Sequence, residues 1–384
     1  MKRMKLIDVC DFQGGSQPPK DEWSFEKQDG YIRMLQIRDF TQSDRVTPEY
    51  IKISNSTKIC EEDDILIARY GASIGKILTG LAGAYNVAIM RTIPDISKIN
   101  KRYLYYYLKS DYFQNAILNV GSRAAQAGFN KEDLAKLEIS CPSLSKQQEI
   151  INILYRIEVI IENRKRELIH LENLIKARFI ELFGNLVIGD RINTNKQKIG
   201  DIASVTKLAG FEFTKYIQYK EHGDIIMLRG LNCKKGHLIL DDVKWIDKET
   251  SDLLPRSKLY YGDILMTYAG TIGDVAMVDA DDKYHLAPNV AKITLNDKKA
   301  CNPVFLMHLF MYTNDYIMTF ASVVAQASIN MEKIRNFEYY LPSVETQNQF
   351  AAFVEQIDKS KVVVQKALDE AQLLFDSLMQ KYFG

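Results

Sequence analysis

The chain repeats itself with a period of 200 residues, and this duplication limits its possible folds more than any other feature. Gln126-Ala127 recurs as Gln326-Ala327, Pro142-Ser143 as Pro342-Ser343, and Phe183-Gly184 as Phe383-Gly384. A duplication of such long period indicates two equivalent modules rather than one pocket with one function. We therefore expect a protein that acts on a target with two parts.

Length and composition are those of an ordinary globular protein. The chain has 384 residues, enough for two domains with proper cores, and is 46% hydrophobic and 26% charged. It has no long apolar run and no signal peptide at Met1-Lys2-Arg3, which predicts a cytoplasmic protein. The cysteines are scattered and form no CxxC pair, so we expect free thiols and no zinc site: Cys10, Cys60, Cys141, Cys233 and Cys301.

Each half of the sequence is predicted to fold as a mixed α/β module followed by one long helix. Segments rich in Ile, Val and Tyr predict strands, at Tyr31–Ile37, Asp64–Tyr70, Asn86–Ile93 and Leu137–Cys141, then at Ile225–Leu228, Asp263–Tyr268, Asn289–Leu295 and Phe337–Leu341. Apolar spacing predicts one helix in each module, at Arg102–Leu118 and Val304–Phe320. Paired glycines predict a tight turn after the equivalent strand, at Gly71 and Gly75 and at Gly270 and Gly273.

The long helices carry the clearest periodic signal. Ser145-Lys-Gln-Gln148 and Thr346-Gln-Asn-Gln349 are typical of capping boxes. Spacings of four and three then predict a coiled-coil seam in the first helix at Ile150, Leu154, Ile157, Ile161, Arg164, Leu168, Leu171, Ile175, Arg178 and Leu182. The second helix has the same register, at Phe350, Val354, Ile357, Lys361, Val364, Leu368, Ala371, Phe375, Leu378 and Tyr382.

Connectivity predicts that the two long helices run antiparallel. The second module begins directly after Gly184, so it must lie at the end of the first helix and also at the start of the second. We predict an α+β protein with two globular domains, joined by two long antiparallel coiled-coil helices with pseudo-twofold symmetry. The predicted segments are residues 1–144, a first helix at 145–184, a second domain at 185–344 and a second helix at 345–384.

Two segments of the sequence match catalytic or cofactor-binding motifs only in part. Gly71-Ala-Ser-Ile-Gly75-Lys76 is one residue short of a phosphate-binding loop, and Ile77 replaces its Ser or Thr. Asn302-Pro303-Val304-Phe305 lacks the second proline of the adenine-methyltransferase motif, and we expect it to cap a helix instead. The histidines show neither ligand spacing nor a partner nucleophile. We therefore predict a chain without catalytic residues, metal or cofactor of its own.

Side chains suited to base recognition recur near the predicted turns of both modules. Arginine pairs with guanine, and Asn or Gln with adenine, through bidentate hydrogen bonds in the major groove. The candidates for DNA contact in the first module are Gln36, Arg38, Arg69, Tyr70, Lys76, Arg123 and Gln126. Those in the second module are Arg229, Asn232, Tyr268 and Gln326. The net charge of +1 is low for a nucleic-acid binder, so such contacts would have to be local.

The doubled order of these motifs resembles the DNA-specificity subunits of Type I restriction-modification enzymes. The resemblance covers the whole chain and depends on the segments Asp64–Gly75 and Asp263–Gly273, and on Gln147 and Gln347 near the start of the long helices. Phe12-Gln-Gly-Gly-Ser-Gln-Pro18 is similar to the family's Gly-Gly-Thr-Pro loop, and Gly210-Phe-Glu-Phe213 to an alternative form of it.

The resemblance implies two target-recognition domains that each read one half of a split sequence in double-stranded DNA. The helices would set the spacing and dock two modification subunits, which carry S-adenosylmethionine. Restriction subunits that use ATP are an optional further partner. The modules align poorly around residues 10–60 and 205–260, so we expect them to recognise different half-sites and give an asymmetric target.

Three other readings remain open on the sequence alone. The near-neutral charge suits a coiled-coil scaffold that assembles protein partners without binding DNA. A lone adenine methyltransferase would need a glycine-rich cofactor loop, which the sequence lacks. A specificity subunit of a methylation-only or defence system without a nuclease would have the same sequence features.

Overall fold

The computed structural model describes residues 3–42, 45–121, 128–191, 195–322 and 327–384, which form two compact units. Unit 1 contains residues 1–165 and 365–384, and unit 2 contains residues 166–364. Each long helix is therefore divided between the units. The four predicted segment boundaries stay a prediction.

Unit 1 consists mostly of short strands and short helices. Its strands are β1 (Arg3–Lys5), β2 (Cys10–Gly14), β3 (Trp23–Ser24), β4 (Tyr31–Leu35), β5 (Glu49–Lys52), β6 (Ile59–Cys60), β7 (Leu66–Ala68), β8 (Ile77–Leu78), β9 (Gly83–Tyr85), β10 (Ile89–Pro94) and β11 (Glu138–Ser140). Its helices are α1 (Ile37–Thr41), α2 (Lys101–Lys109), α3 (Asp111–Gly121), α4 (Lys131–Leu134) and the first part of α5 (Leu144–Phe183).

Unit 2 repeats this sequence of elements with local additions. Its strands are β12 (Lys196–Lys198), β13 (Ala203–Lys207), β14 (Ile225–Leu228), β15 (Cys233–Lys234), β16 (His237–Leu238), β17 (Lys244–Ile246), β18 (Lys258–Leu259), β19 (Ile264–Thr267), β20 (Val275–Met277), β21 (Tyr284–Leu286), β22 (Val290–Leu295) and β23 (Glu338–Tyr340). Its helices are α6 (Ile199–Ile202), α7 (Gly210–Tyr216), α8 (Lys248–Asp252), α9 (Pro303–Tyr312), α10 (Asn314–Met318), α11 (Met331–Arg335) and the first part of α12 (Val344–Phe383).

The two units have equivalent sheets. The antiparallel order β2-β10-β7-β8 in unit 1 matches β13-β22-β19-β20 in unit 2. A second sheet contains one parallel pair in each unit, β4 with β9 and β14 with β21. The predicted mixed α/β fold with an internal repeat is confirmed. The regions that align poorly in sequence nevertheless contain equivalent strands, because strand pairing constrains the alternation of buried residues rather than their identity.

The single helix predicted after the main sheet of each module is wrong, because each is broken into two. Ser110 is extended between α2 and α3 (φ −69°, ψ 150°), and its hydroxyl donates to Tyr107 O at 2.6 Å. In unit 2, Thr313 lies between α9 and α10 and donates its hydroxyl to Leu309 O at 2.7 Å. A hydroxyl that bonds nearby backbone competes with helix continuation, which explains both breaks.

The long helices α5 and α12 bury the predicted seam. Every predicted seam residue is buried or half-buried, whereas apolar neighbours outside the seam, such as Ile160 and Val363, are exposed. The predicted capping boxes are wrong in position, since the capping serines lie two residues earlier in α5 and three residues earlier in α12. Ser143 and Ser343 accept hydrogen bonds from the backbone amides of Lys146 and Thr346, each at 3.4 Å.

The antiparallel direction is visible inside unit 2. The Phe183 ring, at the end of α5, lies 5.6 Å from that of Phe350 near the start of α12. Further along, Glu172 of α5 lies 4.0 Å from Lys361 of α12. In unit 1, Leu154 near the start of α5 shares a core cluster with Phe383 at the end of α12. The predicted antiparallel seam is confirmed within each unit.

A buried glutamine joins each long helix to its domain. Gln147 accepts from the backbone amide of Asn100 at 2.8 Å and donates to Pro142 O at 2.9 Å. Gln347 makes the equivalent bonds with Asn302 and Pro342, both at 2.9 Å. A buried amide whose groups are satisfied fixes orientation, because any other arrangement leaves polar atoms unpaired.

Among the described residues, no helix combines the length and the hydropathy that a membrane-spanning segment requires.

The seam generates a stability prediction with a neighbouring control. Ile161 is 7% exposed, whereas Ile160 on the same helix is 47% exposed. Ile161→Asp removes apolar packing and buries a charge, so we expect it to destabilise the chain by about 2–5 kcal/mol. Ile160→Asp should change stability by about 0.5 kcal/mol or less. Thermal unfolding of the two variants measures the difference, and equal melting temperatures would contradict a buried seam.

Candidate nucleic-acid interface

Four loops of unit 1 meet at one edge of its sheets, which we call rim 1 (residues 14–16, 36–39, 69–75 and 86–88). Asn86 donates its backbone amide to Leu35 O at 3.1 Å, and Arg69 donates to Ala88 O at 2.8 Å. Gly15 donates to Ile89 O at 3.0 Å. These bonds hold loops from both sheets side by side, so residues distant in sequence form one surface.

Unit 2 has an equivalent edge, which we call rim 2 (residues 207–210, 229–232, 268–273 and 287–289). Ala287 donates its backbone amide to Leu228 O at 3.2 Å, and Tyr268 donates to Asn289 O at 3.0 Å. Loops placed on a rigid sheet scaffold are the usual location of binding residues. The two rims are therefore the best candidates for a duplicated recognition surface.

Glycine permits the close backbone approach on which rim 1 depends. A Cβ atom at position 15 would lie 2.1 Å from Asn86 O, a distance that real contacts do not reach. The predicted tight turns also need glycine, since Gly71 and Gly75 have φ of +70° and +81°. This turn joins the antiparallel strands β7 and β8, so it lacks the following helix of a phosphate-binding loop.

Each rim carries a cation over a tyrosine ring. The Arg69 guanidinium lies 5.1 Å from the Tyr70 ring centroid, and its Nε donates to Phe129 O at 3.2 Å. In rim 2 the cation comes from another strand, because Lys207 of β13 lies 5.5 Å from the ring of Tyr268. Cation–π contacts hold a charged group in place while its outer face stays available for a phosphate or base.

Gln36 and Arg38 of rim 1 share one carboxylate. Gln36 Nε2 donates to Glu49 Oε2 at 2.6 Å, and Arg38 Nη2 makes a short ion pair with the same oxygen. The backbone amide of Gln36 is held by Asp39 Oδ2 at 2.9 Å. The structure therefore brings Gln36, Arg38, Arg69 and Tyr70 to the same rim.

Arg229 and Asn232 occupy the equivalent turn of rim 2. Arg229 Nη2 donates to Asp242 Oδ1 at 2.9 Å and to Asp242 O at 2.8 Å. Asn232 is fully buried, accepts from the Arg229 backbone amide at 3.0 Å and donates to Ile239 O at 2.7 Å and Asp242 O at 2.8 Å. Its amide thus fixes the turn, and a contact with a base would require these bonds to break.

The remaining predicted contact residues are Lys76, Arg123, Gln126 and Gln326. Lys76 is exposed and follows Gly75 at the start of β8. Arg123, Gln126 and Gln326 lie outside the residues that the structure describes.

Sequence reasoning missed Lys207, Glu49 and Asp242. A signal for the two acids was present, because each lies 13 residues after the planar side chain that it holds. Lys207 could not be found in this way, because unit 1 has Gly14 at the paired strand position.

Burial shifts the pKa values of three cysteines and one histidine in the cores. Burial raises the pKa of the Cys10, Cys233 and Cys301 thiols to about 12, so they remain protonated at neutral pH. Burial also lowers the pKa of His308 to about 4, although its bond to Val304 O opposes this shift. Among the described residues, no group of three or more His, Cys, Asp or Glu is placed to hold a metal ion. Asn302 caps α9 as predicted, accepting from the Val304 amide at 2.9 Å.

Comparison with known proteins assigns the duplicated architecture. The profile of the Type I restriction modification DNA specificity domain matches residues 1–173 and again residues 192–371. The chain belongs to the Type I restriction-modification DNA specificity family. The resemblance found in the sequence is thereby confirmed, and the two matched ranges follow the internal repeat of the specificity fold.

Relatives in this specificity family are distant but extend over most of their length. The Type I restriction enzyme MjaVIII specificity subunit of Methanocaldococcus jannaschii is 22% identical over 368 residues, covering 90% of this chain and 84% of the relative. The EcoBI specificity subunit of Escherichia coli is 23% identical over 415 residues, covering 99% of this chain and 85% of the relative.

Solved structures of the specificity family share the fold. The S subunit of the Type I system from M. genitalium matches with a TM-score of 0.54 and 13% identity over 100% of this chain and 96% of that chain. A chain from a study of complex assembly and conformational transition in the type I R-M system matches with a TM-score of 0.62 and 14% identity over 100% and 97%.

The close approach at Gly15 yields a prediction with a neighbouring control. Gly15→Ala forces Asn86 and Tyr85 backbone atoms apart, so we expect a loss of about 1–3 kcal/mol in stability. Gly14→Ala meets only the flexible Arg69 Nη1, at 3.2 Å, and should be tolerated. Thermal unfolding distinguishes them. If Gly15→Ala is as stable as Gly14→Ala, the loops of rim 1 are not held as described.

Proposed function

We propose that this chain is the DNA-recognition subunit of a Type I restriction-modification complex, with rim 1 and rim 2 each reading one half of a bipartite, asymmetric site. The two rims share a scaffold but differ in the side chains that they offer. Gln36 stands in rim 1 where Arg229 stands in rim 2, directly after the equivalent strands β4 and β14. Gln suits adenine and Arg suits guanine, so the half-sites would differ in sequence.

The low net charge is consistent with recognition that depends on partners. A chain of charge +1 can neutralise few phosphates beyond those next to Arg69 and Lys207. We therefore propose that most phosphate contacts come from modification subunits bound to the same complex. This chain would contribute sequence information, and the partners would contribute affinity and methyl transfer.

The long helices offer apolar surface to such partners. Within unit 1, exposed apolar side chains include Ile153, Ile160, Leu373 and Leu374. Within unit 2 they include Leu174, Ile180, Val362 and Val363. Exposed apolar patches on a folded chain commonly mark protein interfaces.

We propose that two modification subunits dock on the long helices. S-adenosylmethionine would bind to those partners and ATP to any restriction subunit, while this chain would act in the cytoplasm without catalytic residues of its own.

A protein-interaction scaffold without DNA binding is a second candidate, favoured by the same exposed apolar helix faces. It gives no role to the paired planar donors of the two rims. The two candidates differ in how binding to DNA responds to salt, because phosphate contacts release counterions.

The isolated chain should bind duplex DNA weakly and with a negative salt slope. Each phosphate contact should contribute about −0.9 to the slope of log K against log salt concentration. Adding the modification subunits should increase the affinity for DNA and make the negative slope steeper. Fluorescence anisotropy with a labelled duplex at several salt concentrations measures these quantities, and the absence of any salt-dependent binding by the full complex would favour the scaffold.

Substitutions in one rim should affect one half-site only. Arg38→Ala should relax discrimination in the first half-site, and Arg229→Ala in the second, each by about 1–3 kcal/mol at one base pair. Methylation-site profiling of reconstituted complexes measures the effect, with exposed Arg45→Ala as a charge-matched control. Relaxation spread equally over both halves would show that the rims are not independent readers.

A further inference from the structure

The two rims contain the same acid–donor arrangement, built from different residues. In unit 1, Gln36 directly follows β4 and bonds to Glu49, which begins β5. In unit 2, Arg229 directly follows β14 and bonds to Asp242, just before β17. The separation is 13 residues in both units. β5 and β17 are the antiparallel neighbours of β4 and β14, so both carboxylates lie near the same end of equivalent strand pairs. Their registers differ, because Glu49 lies opposite Met34, whereas Asp242 comes two residues before Lys244, which lies opposite Met227.

Each planar donor is fixed at both ends. Its backbone amide is held by a side chain three residues further on, Asp39 at 2.9 Å in unit 1 and Asn232 at 3.0 Å in unit 2. Asp39 is in turn held by Arg33 Nη2 at 2.7 Å. A side chain restrained at its backbone and at its tip loses little conformational entropy when it meets a ligand.

Carboxylates are unexpected on a surface that is proposed to bind DNA. Phosphate and carboxylate repel each other, so Glu49 and Asp242 reduce affinity for any sequence. The two carboxylates do not use every donor of the side chains that they hold, since Arg229 uses only Nη2 for both of its bonds to Asp242. Gln36 likewise uses one of the two protons on Nε2. Both side chains keep donors for a base edge, and Gln36 also keeps its acceptor.

We propose that Glu49 and Asp242 are positioning residues that set base specificity, by aiming Gln36 and Arg229 at one base pair in each half-site. This inference rests on the proposed function. With Nε2 oriented by Glu49, the amide of Gln36 presents a donor and an acceptor to adenine. With Nη2 held by Asp242 and Nε buried, the guanidinium of Arg229 presents Nη1 to guanine. The two carboxylates lower the affinity for DNA and raise the discrimination between bases.

The test removes the charge of each carboxylate without changing the size of the side chain. Glu49→Gln, Asp242→Asn and the conservative Asp242→Glu are assembled with the modification subunits. Each complex then selects from a random-sequence duplex library, and the bound molecules are sequenced. Asp241 and Glu26 are exposed, so Asp241→Asn and Glu26→Gln are controls that remove the same charge. Thermal unfolding is measured for every variant, and Arg229→Lys, which keeps the charge without the planar fork, is the second variant for unit 2.

Asp242→Asn should lower the preference at one base pair of one half-site by roughly 5- to 150-fold, as expected for loss of one direct base contact, and raise binding to random DNA. Glu49→Gln should do the same in the other half-site, Asp242→Glu should retain the preference, and Arg229→Lys should lose it. The controls should raise random binding without changing the selected sequence.

Two results would overturn the inference. One is an unchanged selected sequence in both charge-removing variants, and the other is loss of preference across both half-sites. A wild-type complex that selects no sequence at all would instead overturn the proposed function, so the two failures are distinguishable.

Discussion

Each domain core of this protein is completed by the helix end of the other repeat. Phe383, from the second repeat, packs 5.0 Å from the ring of Tyr103 in unit 1. Phe183, from the first repeat, packs 5.0 Å from Phe305 in unit 2. Both phenylalanines are buried, and they lie 200 residues apart in the sequence. Neither repeat can bury its apolar surface alone, so the antiparallel seam is a condition for both cores rather than an addition to them.

The rims depend on these cores for their rigidity. The strands that end at each rim contribute buried residues to the cores, and their backbone hydrogen bonds place loops of both sheets together. Because the scaffold is the same twice, it can keep its shape while the exposed side chains change. Gln36 against Arg229, and Arg69 against Lys207, are differences of this kind. Function lies in side chains placed on a common fold, which suits the proposed recognition of two unlike half-sites.

The features of the fold that depend on a periodic sequence pattern could be predicted. The seam and the antiparallel helices follow from a heptad repeat and from connectivity, and the structure confirms both. The break at Ser110 escaped prediction because it results from a local hydroxyl bond, which leaves the apolar spacing unchanged. The burial of Asn232 escaped for a related reason. A polar residue after a strand is typical of a recognition loop, and only the structure shows that its amide is used inside the turn.

The carboxylates of the rims were the most consequential omission. Acidic residues do not suggest DNA contact in a sequence, and their relation to Gln36 and Arg229 appears only when β4 and β5, or β14 and β17, are paired. The separation of 13 residues is common to both units, although strand register places Lys244, rather than Asp242, at the counterpart of Glu49.

The proposed binding of one duplex by both rims is tested most directly by hydrogen–deuterium exchange of the reconstituted complex with and without target DNA. We expect slower exchange on DNA binding at the backbone amides of residues 69–75 in rim 1 and 268–273 in rim 2, while β11 and β23 stay unchanged. Protection confined to one rim, or to the long helices alone, would contradict it.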